Sequence, residues 1–348
     1  MSTTLSATPT VSSPAARGPL SRALLDALGG GGADSRITEL AQRAVAETLD
    51  VIHDDDIQLA LFVLYASVYG SLPGLDPRLE WDPQLIEVRR LLEEPFESAL
   101  REVVPMPPLP QPAQEAVAAA LFSLTSADTG PSLSRHLARK ATREQALEFL
   151  IQRSIYTLRE ADPHSWAIPR LHGRAKAALV EIQADEYGGG RADRVHAEIF
   201  AKTMRGAGLD DRYAGYVDAV PAVTLCSLNA MSMFGVNRRL LGAIVGHLAA
   251  FEMTSSIPNR LYGEGLRRLG FGEEVTDYFD EHVEADAVHE QIAGHDLAGA
   301  LAEDQPELLA GIMFGAAACV TVDGLVAAHM LESWRRGESS LRSTEVAA

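Results

Sequence analysis

Apolar positions along the chain recur at steps of three and four and nowhere alternate convincingly, so the pattern predicts helices throughout and no strand. Candidate helices cover roughly residues 35–69, 83–103, 111–126, 143–160, 169–187, 192–204, 238–255, 273–293 and 305–336. The fold class expected is therefore all-α. Repeated prolines in "PMPPLPQP", Pro105 to Pro112, cannot continue a helix and mark a linker. It separates an N-terminal helical part from a larger C-terminal one, and the domains expected are an N-terminal helical region over residues 35–130 and a larger domain over residues 131–340. Residues 1–34, rich in Ser, Thr and Pro and ending in the glycine run Gly29 to Gly32, read as a disordered tail, as do residues 341–348. The stretch Leu59 to Val68 is more apolar than a peripheral appendage needs, which suggests that the N-terminal region is an arm burying surface in a homodimer.

Composition narrows the class. At 348 residues, 47% hydrophobic and 22% charged, the chain can bury a substantial core and reads as a soluble globular protein. A net charge of −18 argues against a nucleic-acid partner, which would want a basic face, and suits a small-molecule enzyme. No apolar leader marks secretion, and the apolar run Leu308 to Val322 is too short for a membrane span before Asp323 interrupts it. The expectation is a cytoplasmic protein with no membrane partner. Cys226 and Cys319 sit in apolar runs and read as core residues, not a thiolate site.

The chemistry is carried by polar groups on apolar stripes. In "EHVEADAVHE", His282, Asp286 and His289 fall at i, i+4 and i+7, so a helix puts them on one stripe with Val275, Phe279 and Ala293. Such groups facing inward need partners, since leaving them buried and unpaired costs several kcal/mol. Either a metal or an ion-paired, solvated face would supply them. Glu252 continues the stripe Leu241, Val245, Leu248, as a metal ligand or as a core glutamate tied to an arginine. Glu186 ends a similar stripe just before "YGGGR", whose glycines should break the helix, and His196 follows with Asp193 one turn ahead of it. Glu160 closes another helix in line with Phe149 and Tyr156. Oxygen and nitrogen donors without thiolate suit iron or manganese. These groups are too many for one ion and about right for two sharing a carboxylate in a helical bundle, yet the Glu-x-x-His pairs of ferritin-like bundles are missing.

In order and spacing, Glu160, then Glu186 and His196, then Glu252, then His282, Asp286 and His289 resemble the ligands of the heme-oxygenase-like di-metal oxidases and oxygenases. The resemblance covers roughly residues 130–340 and is nearest to an N-oxygenating branch of that family. It implies a heme-oxygenase-like bundle with an additional N-terminal helical region, two iron ions, and O2 as co-substrate. The family spacing points to Glu186 as the carboxylate partner of His196, with Asp193 the local alternative. A cupin domain found in that branch has no β-rich counterpart here, so its rearrangement chemistry is not implied.

The resemblance further implies oxidation of an amine, guanidine or aminoimidazole nitrogen to a hydroxylamine or nitro group in bacterial specialised metabolism. The alternative within the family is oxidative C–C cleavage of an amino acid or fatty acid. A heme protein would use a single proximal histidine and has no use for these acids; a non-catalytic iron-binding bundle is the other class. Two residues stand out for substrate, each also readable as a structural ion-pair member: Asp323 in its apolar helix for a cation, and Arg260 for a carboxylate. His164, His247 and His329 read as core or structural residues. The electron donor is not readable from the sequence.

Overall fold

A computed structural model describes residues 13–32, 35–126 and 132–343, without the side chains of residues 284–287. Every regular element among the described residues is helical. The first is α1 (Pro19–Asp26), followed by a π turn over Ala27–Gly31, so the segment expected to be disordered to residue 34 is helical from Pro19. Leu20, Leu24 and Leu28 explain the difference, since all three are buried. The rest of that tail, residues 1–12 and 33–34, lies outside the described residues, as does 344–348 at the other end.

Next come α2 (Ser35–Glu47) and α3 (Asp55–Tyr69), where the apolar period predicts one continuous helix. The interruption has a local cause. Asp54 caps α3 by accepting the N–H groups of Asp56 and Ile57, while Asp50 accepts that of Ile52, so the chain turns between them. α4 (Pro83–Val103) starts from an Asp82 cap with proline at its first position. The apolar length of α3 is covered within this chain by α1, α4 and α11 (Ala222–Val236), and Asn229 of α11 donates to the Gln58 backbone and side chain at 2.9 and 2.8 Å. Its apolar surface is thus spent inside the molecule. The N-terminal helices belong to the same core as the rest.

Beyond the proline linker the order is α5 (Gln114–Thr125), α6 (Leu133–Arg139), α7 (Arg143–Thr157), the single turn α8 (Asp162–Ser165), α9 (Gly173–Glu186) and α10 (His196–Gly206). After α11 follow α12 (Leu241–Met253), α13 (Ser256–Arg268), α14 (Glu273–Gln291), α15 (Ala300–Asp304) and α16 (Leu309–Arg335), with a π-helical stretch at Ile292–Gly299. α12 and α16 pack most closely, because Gly246 and Gly315 let each backbone approach the other; a Cβ at either would collide with the carbonyl of Ile312 or Ala243. The segment Pro306–Arg335 is long and apolar enough to cross a membrane, and here it is a largely buried helix of the bundle.

Two apolar clusters make the interior. One joins α1 to α5 with α9, α11, α12 and the first half of α16; the other joins α6, α10, α13, α14 and the end of α16. α7 contributes to both. Polar side chains gather along the joint. Both ends of the described chain are fastened together elsewhere: Arg17 and Arg342 each pair with Asp55, at 2.8 and 3.2 Å, and each donates to backbone carbonyls between Val217 and Val220.

Candidate metal centre

α9 and α12 bring their terminal glutamates to the joint from one apolar cluster, and α10 and α14 bring histidines from the other. Glu186 ends α9, and the chain then turns through Gly188, Gly189 and Gly190, all with positive φ, and a short 3-10 turn at Ala192–Arg194. That turn starts α10 at His196 so that its ring returns to Glu186, with Nδ1 2.9 Å from Oε2. Asp193, the local alternative, is exposed and pairs with Arg191 at 3.3 Å. On α14, His282 and His289 are both buried, as the stripe predicts. Asp286 lies between them on the helix, and its side chain is outside the described residues.

These residues form two groups. Glu160, Glu186, His196 and His282 make one, and Glu186, Glu252 and His289 make the other, each with donor atoms within 4.8 Å of one another. Glu186 belongs to both. Nδ1 of His196 and Nδ1 of His289 are fully buried without a hydrogen bond, although carboxylate oxygens lie 2.9 and 3.4 Å away. The lone pairs therefore converge on shared space instead of pairing along N–H directions, which is what a cation between them requires. The residues fit a metal.

Further contacts hold the donors in place. His282 donates from Nδ1 to the Tyr278 carbonyl at 2.7 Å, leaving Nε2 facing Glu160 at 3.7 Å. The Tyr278 hydroxyl donates to both Glu160 oxygens, at 3.0 and 2.8 Å. Asp185 reaches Nε2 of His289 at 3.0 Å while Glu252 stands at its Nδ1. Neither Tyr278 nor Asp185 figures in the sequence pattern. Tyr278 lies one turn ahead of His282 on the same stripe, a legible signal; Asp185 adjoins a ligand candidate but sits on the exposed side, and nothing marks it.

The electrostatics are those of anions crowded among buried side chains. Burial, then the like charge of Glu186, pushes the Glu160 carboxyl up to about 8. Burial also raises Glu252. It opposes charge on His196 and His289 too, but Glu186 and Glu252 outweigh it and lift each imidazole to about 9. His282, desolvated beside His196, falls to about 4. A pocket of about 300 Å³, walled in part by Arg159, Asp162, Glu198 and Tyr213, opens onto Glu160, Glu186 and His196 from solvent.

Arg260 is exposed on α13 and takes no part in either group; Asp323 stands on α16, wetted by solvent. His164 and His247 are buried against each other, with Nε2 of the first 3.2 Å from Nδ1 of the second.

A helical bundle with such a donor set defines an iron-containing redox enzyme, and the model of that heme-oxygenase-like family matches residues 147–324, just over half the chain. The chain belongs to this family and is an oxidoreductase. It is also similar to the nitrosourea synthase of Streptomyces achromogenes subsp. streptozoticus, with 30% identity over 179 residues, covering 49% of this chain and 38% of that protein.

Proposed function

We propose that the chain is a di-iron, O2-dependent N-oxygenase that converts an amine, guanidine or aminoimidazole-type nitrogen to a hydroxylamine or nitro group. The observation that carries it is the double membership of Glu186, which makes two donor groups into one site. Glu160, Glu186, His196 and His282 would hold one ion, and Glu186, Glu252 and His289 the other, with Asp286 supplied from the turn between the α14 histidines. Iron held by these residues would supply the two electrons that, with two protons, reduce O2 as one oxygen is inserted into the N–H bond and the other leaves as water, an external donor returning the electrons.

The chain's own residues do the rest. Tyr278 fixes Glu160 by two hydrogen bonds and fixes the His282 tautomer through its carbonyl. Buried Glu252, Glu160 and Glu186 would balance the charge of metal held there. The likeness to a nitrosourea synthase supports nitrogen as the atom oxidised.

Anaerobic loading followed by elemental analysis should give about two irons per chain, as in other carboxylate-bridged sites. Glu186→Gln should bring this below one. Incubating the loaded protein with O2 and a panel of amines should then yield products heavier by oxygen. Wild-type iron content in Glu186→Gln would sink the shared-site reading, and chain-shortened products would replace N-oxygenation with C–C cleavage.

A further inference from the structure

Glu160 lies just past the end of α7, in the turn that leads into α8, and its main-chain carbonyl is answered by a side chain. Four residues on, the His164 ring donates from Nδ1 to that carbonyl at 3.2 Å. A carbonyl can only accept, so this nitrogen carries the proton of His164, and Nε2 of the neutral ring is left as an acceptor. Nδ1 of His247, on α12, stands 3.2 Å from it and is the donor that answers. Both rings are buried, and burial holds both neutral, with His164 pushed down to about 4.

Two imidazoles thus link α12 to the backbone of a ligand candidate, and the link starts from the firmer end. Gly246, beside His247, sits against the Ile312 backbone of α16, so α12 has little room to move. The turn after Glu160 gathers the elements that carry the other glutamates. Gln183, three residues ahead of Glu186 on α9, donates to the Ala161 carbonyl at 2.8 Å, and His247 stands five residues ahead of Glu252. The surroundings of the pair are apolar: Phe251 lies 6.2 Å from each ring centre and Phe234 lies 6.3 Å from that of His247. A phenylalanine at position 247 would suit that place and avoid the desolvation of a polar ring. What the imidazole adds is direction, since a hydrogen bond fixes one distance and angle where apolar packing tolerates several.

Resting on the reading of the neighbouring donors as a di-iron site, we propose that His247, acting through His164, is a positioning residue for Glu160. It holds the Glu160 backbone in register with α12, while Tyr278 fixes the carboxylate from the other side. The carboxylate is thereby aimed into the group it forms with Glu186, His196 and His282. Neither His164 nor His247 belongs to a donor group. The effect is confined to one of the two ions. Glu252 of the other group stands on α12 itself, which α16 holds in place whatever residue occupies position 247.

Metal binding in the absence of O2 tests this directly. Fe(II) is titrated calorimetrically into the metal-free full chain, and wild type should take up two ions. His247→Phe should weaken one of them about 10- to 100-fold, the scale for losing an outer partner of a metal site, and leave the other unchanged. His247→Asn, whose amide donates from the same branch position as Nδ1, should recover most of that loss. His164→Asn keeps a donor for Glu160 but not the link to α12, and should lose as much as His247→Phe. Added to Glu160→Gln, His247→Phe should cost nothing further, because its effect passes through that residue. Thermal melts check that each variant unfolds cooperatively. The proposal is overturned by unchanged affinities, by equal weakening of both ions, by no recovery in His247→Asn, or by a further loss on top of Glu160→Gln. Failure of both His247→Phe and His164→Asn to fold would overturn it too, by making the pair a requirement of folding. Wild-type protein that takes up no Fe(II) would refute the di-iron reading and the proposal together, a result seen before any variant is compared.

Discussion

Glu93 shows at the scale of one residue what burying an acid costs even with a guanidinium standing near it. It accepts the Tyr65 hydroxyl at 2.9 Å and the Asn237 amide at 3.0 Å, with Arg89 at 3.7 Å. Burial outweighs these partners and raises its pKa. An acid raised in the folded state binds its proton more tightly there than when unfolded. Its ionisation therefore costs nothing below the ordinary carboxylate range, begins to destabilise as pH rises through that range, and reaches full cost above the folded value. Glu93→Gln keeps the acceptor for Tyr65 and Asn237 and removes the charge. The variant should melt higher than wild type at pH 7, with the gap closing near pH 4; an equal gap at both would show that charge is not the cause. Acids of this kind are legible when they sit on an apolar stripe, as Glu252 and Glu186 do. Asp185 is not, because it lies on the exposed side of α9 and its partner His289 is far along the chain, where no local pattern records it.

Among the elements, the turn joining α9 to α10 decides whether the centre forms. A regular helix would carry His196 away from Glu186, whereas the left-handed glycines bring it back. At Gly188, with φ of +75°, an added Cβ would meet Arg194 C and Val195 N at 2.7 Å; at Gly189 it would meet nothing. Gly188→Ala should therefore displace the start of α10 and bring iron content below one per chain. Gly189→Ala should cost only the left-handed strain, about 1–2 kcal/mol, and keep its iron. Urea melts with elemental analysis separate the two, and equal iron in both variants would deny the turn this role. The glycine run is the plainest signal in the sequence that such a break occurs. Other elements left weaker traces. α11 is apolar on every face and so has no period to read, and α1 is two short turns beside a tail of Ser, Thr and Pro.

At the scale of the whole molecule, the proline linker promises a division that packing does not honour. Pro105 to Pro112 does interrupt the helices, but buried contacts continue across it, from α1, α3 and α4 to α11 and α16. Linker composition reports where helices stop, not where a core does. Removing residues 1–104 would strip the cover from α11, whose length from Ala222 to Gly235 is buried. The truncated chain should lose cooperative thermal unfolding and bind apolar dyes, while a sharp transition in it would establish a self-sufficient C-terminal domain.

The clasp at Asp55 has a different kind of consequence. Arg17 near one end and Arg342 near the other hold the same carboxylate, and Ala15 reaches Asp218 beside the carbonyl that receives the Arg342 N–H. A module joined by a short tether ahead of Ala15 and another joined beyond Arg342 would leave the protein from one spot. They would meet at an effective concentration in the millimolar range, as short flexible tethers give, without either having to bind the enzyme. The fold would then serve as a clip that converts two covalent fusions into a proximity.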